Sequence, residues 1–525
     1  MRCTLTQLGT LLALLVAACA PPGPPTAPPP PEPERRHHNQ VLRVAAPALV
    51  STPTPRASRS NVFQLWPLYD NLTRFGPDYE VRPSVAERWE VAPDGLSWTF
   101  TLRTDLTFST GEPLTAEDVA FTLTEVLEHR WPQTAYFGLT AAVEALDTRT
   151  VRIITRARDA SVPHGAPFLW VLPKRYYQEV GFEQFALRPV GSGPYELVEF
   201  QPGALLRYRK RAQPHPFRTP VAEELVIRVL ANPTQVLNGL VSNQIDIAAG
   251  IAWSGEQAAT LQERGVEVIQ RLSVNLQVAM PQGSYELRAT PLRDRRVRLA
   301  LNYAVDRQRI ATALYRGFAR PTGQVAVPGS LFYDPNVPPW PYDPAQARRL
   351  LAEAGYPRGF TLPGGFDYSL ARGQQQLVAA IQDDLRAVGV HVEAIGNEES
   401  VFVDKAYGRR NLPKGDLWLG SHSDDNGFFT SLRTFYGCDR PAGADQRALL
   451  YCNPTWDHLL DLAAGEPDAA RRRHLFLEAN RLFREDVPVI FLLDVARFVV
   501  HSPKIKGLEV PLLEAYNFDS AYRVR

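Results

Sequence analysis

Residues 97–129, SWTFTLRTDLTFSTGEPLTAEDVAFTLTEVLEH, change repeat period part-way along, and that change decides the fold class. Trp98, Phe100 and Leu102 alternate with polar neighbours, which is the period of a half-buried strand. Gly111 marks a turn. Thr115 then stands at the N-cap of a helix, with Asp118 three residues on in the capping-box position. Val119, Leu123, Val126 and Leu127 form the apolar face of that helix. Asp118 could instead be read as a catalytic acid, but a cap explains it fully.

The same alternation continues on either side. VLRVAAPALV from Val41 reads as a strand, and NVFQLWPLYDNLTRF from Asn61 as a helix with Leu65, Leu68, Tyr69 and Leu72 on one face. GSGPYELVEFQPG from Gly191 is a turn leading into a strand. Its glycines could suggest a phosphate loop, but the lysine and the following helix that such a loop needs are missing. TQVLNGLVSNQIDIAAG gives a helix and then a strand, and DRRVRLALNYAVDRQRIATALYRG gives two helices ending at Gly317, the second capped by Asp306. DPAQARRLLAEAG is capped by Asp343 and stopped by Gly355, with Leu350 and Leu351 inward. GQQQLVAAIQDDLRAVG with VHVEAI, and DAARRRHLFLEANRLFREDVPVIFLL, repeat the helix-to-strand order. Strands alternating with helices predict an α/β architecture with mixed sheets.

The amino terminus poses a different problem. LLALLVAACAPPGPPTAPPPPEPE, from Leu11, runs through a short apolar segment to one cysteine and then into proline. The apolar run falls short of the roughly 20 residues a membrane span needs, and with Arg2 ahead of it fits a secretory signal. Val16-Ala17-Ala18-Cys19 resembles a bacterial lipobox, which implies a signal peptide over 1–18 and a lipid-bearing Cys19. The alternative is an ordinary signal peptide cut at Ala-Cys-Ala. Residues 19–40 form a proline-rich tether, and Pro21–Glu34 as polyproline II would reach roughly 40 Å. The chain is thus expected outside the cytosol, held to a bacterial membrane.

A net charge of +1 argues against a nucleic-acid partner, which calls for a basic stripe. Of four cysteines, Cys3 leaves with the signal peptide and Cys19 takes the lipid, so Cys438 and Cys452 remain. In an exported chain that pair predicts a disulfide rather than a metal site. There is no CxxC and no HExxH, and His37 and His38 belong to the tether. No cofactor, metal or catalytic residue is expected.

Six blocks in order now make the pattern specific: PSVAERWEVAPDGLSWTFTLRTDLTFSTGEPLTAEDVAFTL, PVGSGPYELVEFQPG, LNGLVSNQIDI, LRDRRVRLALNYAVDRQRI, YDPAQARRLLAEAGYPRGF and CNPTWDHLLDLAA. Together they resemble the family 5 solute-binding proteins of ABC importers, the peptide, nickel and opine class, from Val41 to the C-terminus. Ser192 stands where threonine is commoner in that family, and Asn243 where glycine is usual. The resemblance implies a two-lobed, type II-like periplasmic-binding fold with an extra subdomain on the first lobe. Lobe one is then 41–60, 183–270 and 488–525, its subdomain 61–182, and lobe two 271–487, with VIQRLSVNLQVAM and VPVIFLLDV as the hinge crossings. Closure about such a hinge traps a ligand. Implied partners are a peptide or small solute, a permease and its ATPases, and a monomer is expected.

The implied ligand site centres on GDLWLGSHSDDNGFFTSLRTFYGCDR. In peptide-binding relatives that segment carries a tryptophan and, a few residues later, an aspartate that pairs with the ligand's α-amino group. Asp424 and Asp425 occupy that neighbourhood, where a ligand cation would offset the cost of a buried carboxylate. An Asx turn over Asp424–Gly427 is the other reading. Trp418 lies earlier than the family's tryptophan, and Ser421 and His422 fill its usual place. Arg372 could grip a ligand carboxylate bidentately, and Phe366, Tyr368, Phe428 and Phe429 could line the cleft or belong to the core. The departure at the tryptophan keeps an oligosaccharide ligand open, along with nickel and opines. An exported hydrolase or a sensory receptor without a permease are readings from other classes, and no motif supplies the hydrolase its nucleophile.

Overall fold

Strands and helices alternate through the chain in the computed structural model, which describes residues 40–524 except 58–61, 77–80, 160, 231, 252, 281–289, 329, 331, 371–372, 399–400, 403–404, 406–414, 424–435, 439–450, 467 and 513–514. The signal peptide, Cys19 and the tether up to residue 39 lie outside the described residues. Strand β1 (Val41–Ala46) lies between β10 (Glu224–Val229) and β11 (Ile247–Ala248), parallel to both. β9 (Leu205–Lys210) and β8 (Tyr195–Gln201) extend that side antiparallel. On the other side β11 meets β17 (Val489–His501), which pairs along its length with β12 (Glu267–Ala279) and at one point with β13 (Ala319–Pro321). Beyond β12 come β16 (Leu417–Ser423), β14 (Phe360–Ser369) and β15 (Val390–Asn397).

Hydrophobic burial divides along this sheet. One core draws on residues from Leu42 to Ala249 and again from Val499 to Ala521, while a second draws on Leu276 to Leu493. A smaller third core, with Trp253, Leu261 and Phe498, sits where β12 and β17 begin and end. β12 and β17 each run unbroken between the third core and the second.

The opening block folds as its periods dictate. β5 (Ser97–Leu102) buries Trp98, Phe100 and Leu102 between β4 (Ala86–Val91) and β7 (Thr150–Thr155), with β6 (Thr140–Ala145) outside β7. Helix α1 (Ala116–Glu128) starts where Asp118 Oδ2 accepts from the Thr115 backbone N–H at 2.8 Å and from its hydroxyl at 2.9 Å. Asp118 Oδ1 accepts the Lys174 N–H at 2.8 Å, so the cap also fixes the start of a second helix. Asp306 and Asp343 cap their helices as expected, each accepting the N–H three residues on at 2.9 Å.

Residues 61–75 depart from expectation. Instead of an α-helix there is a 3₁₀ turn over Val62–Gln64, followed by hydrogen-bonded turns to Leu68. Pro67 lacks an N–H and disfavours helix at the residue before it, so the helix cannot pass. Leu65, Leu68, Tyr69 and Leu72 are nevertheless all buried. The glycine block packs on this turn. A Cβ on Gly191 would lie 1.9 Å from the Leu68 carbonyl oxygen, and Gly193 N–H donates to that oxygen at 2.9 Å. Close backbone approach, not phosphate, explains the glycines. Asn243, in the place of the family's glycine, has φ +58°, a left-handed position that Asn tolerates better than most residues.

A buried charge network closes the first core. Asp70 accepts from Ser192 Oγ at 2.9 Å, lies 2.9 Å from His215 Nε2, and meets Arg218 at 3.1 Å. Arg218 continues to Asp519 at 2.7 and 3.1 Å and to the Trp66 and Tyr69 carbonyls. Gln40, expected in the tether, is already buried: its side chain accepts the Arg523 N–H at 2.7 Å and donates to the Arg523 carbonyl at 2.8 Å.

Candidate functional site

The β12–β17 ladder is antiparallel from Glu267↔His501 to Ala279↔Val489, with two irregularities. Leu272 pairs with Ala496 but Val274 with Val495, leaving Ser273 as an extra residue, and Leu492 is extra further along. Bulges bend and twist a ladder. The first falls where β12 gains a second neighbour: residues 267–279 pair with β17 throughout, and β16 joins the other edge from Val274 to Ala279.

β16 meets β12 with Ser423 opposite Val274, so its carboxyl end reaches that bulge. β14 runs parallel to β16, with Phe366 beside Leu417 and Asp367 beside Trp418. β14 ends at Ser369 and β16 at Ser423. Ligands of open α/β sheets bind outside the carboxyl ends of parallel strands. This corner of the sheet is therefore the candidate site.

Asp367, 2% exposed, organises the corner. Its Oδ1 accepts from Lys405 Nζ and Asn397 Nδ2, each at 2.9 Å, and its Oδ2 accepts the Gly415 N–H at 2.7 Å. The carboxylate thereby joins β14 and β15 to Lys405 and to the residue leading into β16. Position 415 favours glycine, because a Cβ there would lie 2.8 Å from Asp367 Oδ2 and from the Gly365 and Leu417 carbonyl oxygens. A buried ion pair is costly without extra hydrogen bonds, and here both oxygens have them. Phe402 lies 6.0 Å, ring to ring, from half-buried Trp418.

The residues expected in the ligand site distribute unevenly. Trp418 shares its sheet face with Asp367. Tyr368, one residue on, lies on the opposite face, with its hydroxyl 2.9 Å from where a Gly396 Cβ would stand. The structure thus separates Trp418 from Tyr368, because one step along a strand reverses the face. Phe366 is fully buried core. His422 takes a register position opposite Asn275. Asp424, Asp425, Arg372, Phe428 and Phe429 lie outside the described residues. Cys438 and Cys452 are bridged, Cα to Cα 4.6 Å, closing a 14-residue separation.

Local reading of the sequence missed a pair beside the first bulge. Asn275 is the register partner of both His422 and Asp494, and Asp494 is that of Arg320 on β13. Asp494 is 1% exposed and accepts from Arg320 Nε at 3.2 Å, while Arg320 also donates to the Tyr333 hydroxyl at 2.8 Å. The pair lines a cavity of about 470 Å³ with Trp340 and Tyr342. The two residues are 174 apart in sequence, so no short motif could reveal them. Among the described residues no three of His, Cys, Asp or Glu are grouped to hold a metal ion. Nor is any described helix long and apolar enough to cross a membrane.

Comparison with known proteins agrees with this architecture. The chain is 25% identical to heme-binding protein A of Haemophilus influenzae over 492 residues, covering 87% of this chain and 86% of that protein. It is 24% identical to the dipeptide-binding protein of Escherichia coli, covering 86% and 88%. An ABC transporter-associated periplasmic binding protein from Helicobacter pylori, solved with the peptide STSA, superposes with a TM-score of 0.74 at 22% identity, covering 93% and 99%. The fold is the two-lobed periplasmic-binding fold. Residues 80–441 match the model of the bacterial extracellular solute-binding proteins, family 5 middle region, and the chain belongs to that family.

Proposed function

We propose that this solute-binding protein captures peptides for an ABC importer, closing two lobes on the ligand and handing it to a membrane permease without making or breaking a bond. One observation carries the reading: β14 and β16 run parallel, β14 ending at Ser369 and β16 running on past that level to Ser423, opposite Val274 at the bulge of β12. Arg372 follows the end of β14 by three residues, and Asp424 follows β16 directly. An arginine and a carboxylate at neighbouring strand ends suit the two charged termini of a short peptide. The printed names of relatives, which include dipeptide- and glutathione-binding proteins, support the same class. In this reading Trp418 and His422 take the ligand's side chains, and Tyr368 contributes from the other face of β14.

The lobes we propose are 41–60, 183–270 and 488–525 for lobe one, with 61–182 as its subdomain, and 271–487 for lobe two, although Val489–Leu493 at the start of β17 pack into the second core. A lipid on Cys19 would hold the protein beside its permease. Replacing Cys19 by Ala should release the protein from membranes with ligand affinity intact, and full membrane retention of the variant would sink the anchor.

The deciding experiment is a thermal-shift panel on the full chain in detergent, testing di- to penta-peptides, oligosaccharides, heme and nickel with histidine. A ligand at 100 times its Kd adds about 2.7 kcal/mol of stability. A peptide shift abolished by Asp424→Asn or Arg372→Gln is expected. A shift from a sugar, heme or nickel alone, untouched by those variants, would overturn the peptide reading and keep the fold.

A further inference from the structure

Arg158 and Gly465 are far apart in sequence and belong to different cores, yet they touch. Arg158 follows β7, whose Val151 and Ile153 lie in the first core, and precedes the short helix Val162–Gly165, whose Val162 lies there too. Gly465 is the last residue of helix Pro454–Gly465, whose Trp456, Leu460 and Ala463 pack in the second core. A Cβ on Gly465 would lie 3.1 Å from Arg158 Cβ and 3.7 Å from its Cδ. The arginine stem therefore crosses the carboxyl end of a helix that belongs to the other core.

The stem is also held from its own side. Gly95, in the turn between β4 and β5 with φ +74°, would place a Cβ 3.0 Å from Arg158 Cγ. Glycine on both sides leaves a slot for one methylene chain, and arginine covers apolar surface with its stem while its head stays in water. A cation is favoured at the carboxyl end of a helix. A second approach lies beside the first. Half-buried His164, in the short helix, is near enough to Arg472 of helix Ala469–Asp486 to feel its charge. Burial and then that charge push the imidazole down to about 4, so it is neutral near pH 7 and does not repel the arginine. Arg472 in turn donates through Nη1 to the Glu466 carbonyl at 3.1 Å, one residue beyond Gly465.

We infer that this contact is a latch: the subdomain of lobe one seats its Arg158 stem on Gly465 of lobe two as the lobes close, and lets go as they open, with no ligand required. The inference rests on the lobe closure proposed above and not on what the ligand is. None of the residues named for the strand-end corner takes part. The β12–β17 ladder joins the two cores through strands they share, so it can bend but cannot report how far the lobes have turned. A contact between residues outside that ladder can. An equilibrium between two arrangements shifts by whatever contact only one of them makes, so the latch favours the closed form even when it is empty. Glycine at 465 is what lets the lobes come this close.

Paired cysteines test it in the full chain in detergent, without ligand. A disulfide needs Cβ atoms about 3.5–4.5 Å apart, so Arg158→Cys with Gly465→Cys should bridge under mild oxidation after a small outward shift. Peptide mapping by mass spectrometry should find that bridge at least tenfold above a control pair, Leu187→Cys with Gly465→Cys, in which Leu187 is an exposed residue of lobe one. Hydrogen exchange reads local opening. Exchange over residues 161–166 and 462–465 should be at least tenfold slower in the bridged protein than in the same variant reduced. Should the paired variant melt early, Gly465→Ala alone, which crowds the Arg158 stem, is expected to speed exchange over 161–166 at least threefold. A bridge no more abundant than the control would overturn the contact. Equal exchange in the bridged and reduced forms would make it fixed packing and overturn the latch, as would unchanged exchange in Gly465→Ala. A peptide panel without shifts would overturn the ligand reading alone and leave the latch standing.

Discussion

Arg218 and Lys405 each bring a cation inside to meet an aspartate, one in each of the two large cores. Arg218 spends every donor it has: two on Asp519, one on Asp70 and the others on two carbonyls. Its network joins the turn at Trp66–Asp70 to Ser192, His215 and Asp519 and then closes on itself. Lys405 has one described partner, Asp367, and its side chain keeps 17% of its surface exposed. That second network is built on strand ends, since Asp367 also holds Asn397 and the Gly415 backbone. The difference teaches that a buried ion pair is not one kind of device. The first fastens four distant segments where nothing has to change. The second positions the residues that lead into the candidate ligand site.

The sharpest way to break this comparison is to remove Arg218. Alanine there leaves Asp519 buried without its arginine and Asp70 with only His215 and Ser192, which should cost about 3–5 kcal/mol. Denaturant unfolding reads the loss directly, and a cost under about 1 kcal/mol would mean the network is ornamental. Ligand affinity of the fraction still folded should not change. Opening the Cys438–Cys452 bridge with paired serines should cost about 3 kcal/mol by the same assay. Asp367→Asn should cost about 2 kcal/mol, as expected when a hydrogen-bonded charge is lost, but here affinity should also fall about tenfold, or 1.4 kcal/mol. Unchanged affinity would erase the distinction between the two networks. Asp118→Ala, a cap remote from both, should cost about 1 kcal/mol and leave binding alone.

Acid sharpens the same contrast. Burial by itself raises the Asp70 carboxyl. The hydrogen bond and charge of His215, then Arg218 and Ser192, outweigh it and hold the group well below the usual carboxylate range. A folded pKa below the unfolded one stabilises the fold above about pH 4 and is lost as pH falls toward the folded value. Stability should therefore drop steeply below about pH 4 in the native protein. The slope should be shallower in the Arg218→Ala variant, and equal slopes would show that Asp70 does not draw on Arg218.

What could be read in advance was what is local. The caps at Thr115, Asp306 and Asp343 need only three or four residues of chain, and the period of Trp98, Phe100 and Leu102 needs six. The helix expected over residues 61–75 failed because its apolar spacing was real but Pro67 interrupts the hydrogen bonds. The pairing of Asp494 with Arg320, the meeting of Asp70 with His215 and Arg218, and the crossing of Gly465 by Arg158 all depend on which strands, turns and helices lie side by side. The separation of Trp418 from Tyr368 has the same origin, since only the register with β16 and β15 shows the two faces. Family resemblance pointed to the corner of the candidate site, and register shows which described side chains share a face there.

The clasp between Gln40 and Arg523 has a mechanical side. Gln40 is the first of the described residues, and it is held by β21 (Tyr522–Arg523), the last described strand. β1 follows at once, hydrogen-bonded on both edges, and Arg43 within it is gripped at three atoms by Asp246, each at 2.9 Å. A tug from the amino end along β1 therefore meets many bonds in shear, all strained together, instead of opening them one after another like a zipper. Under the anchor proposed at Cys19, a pull from the membrane would be borne by this clasp and by β1 before it reached the rest of the fold.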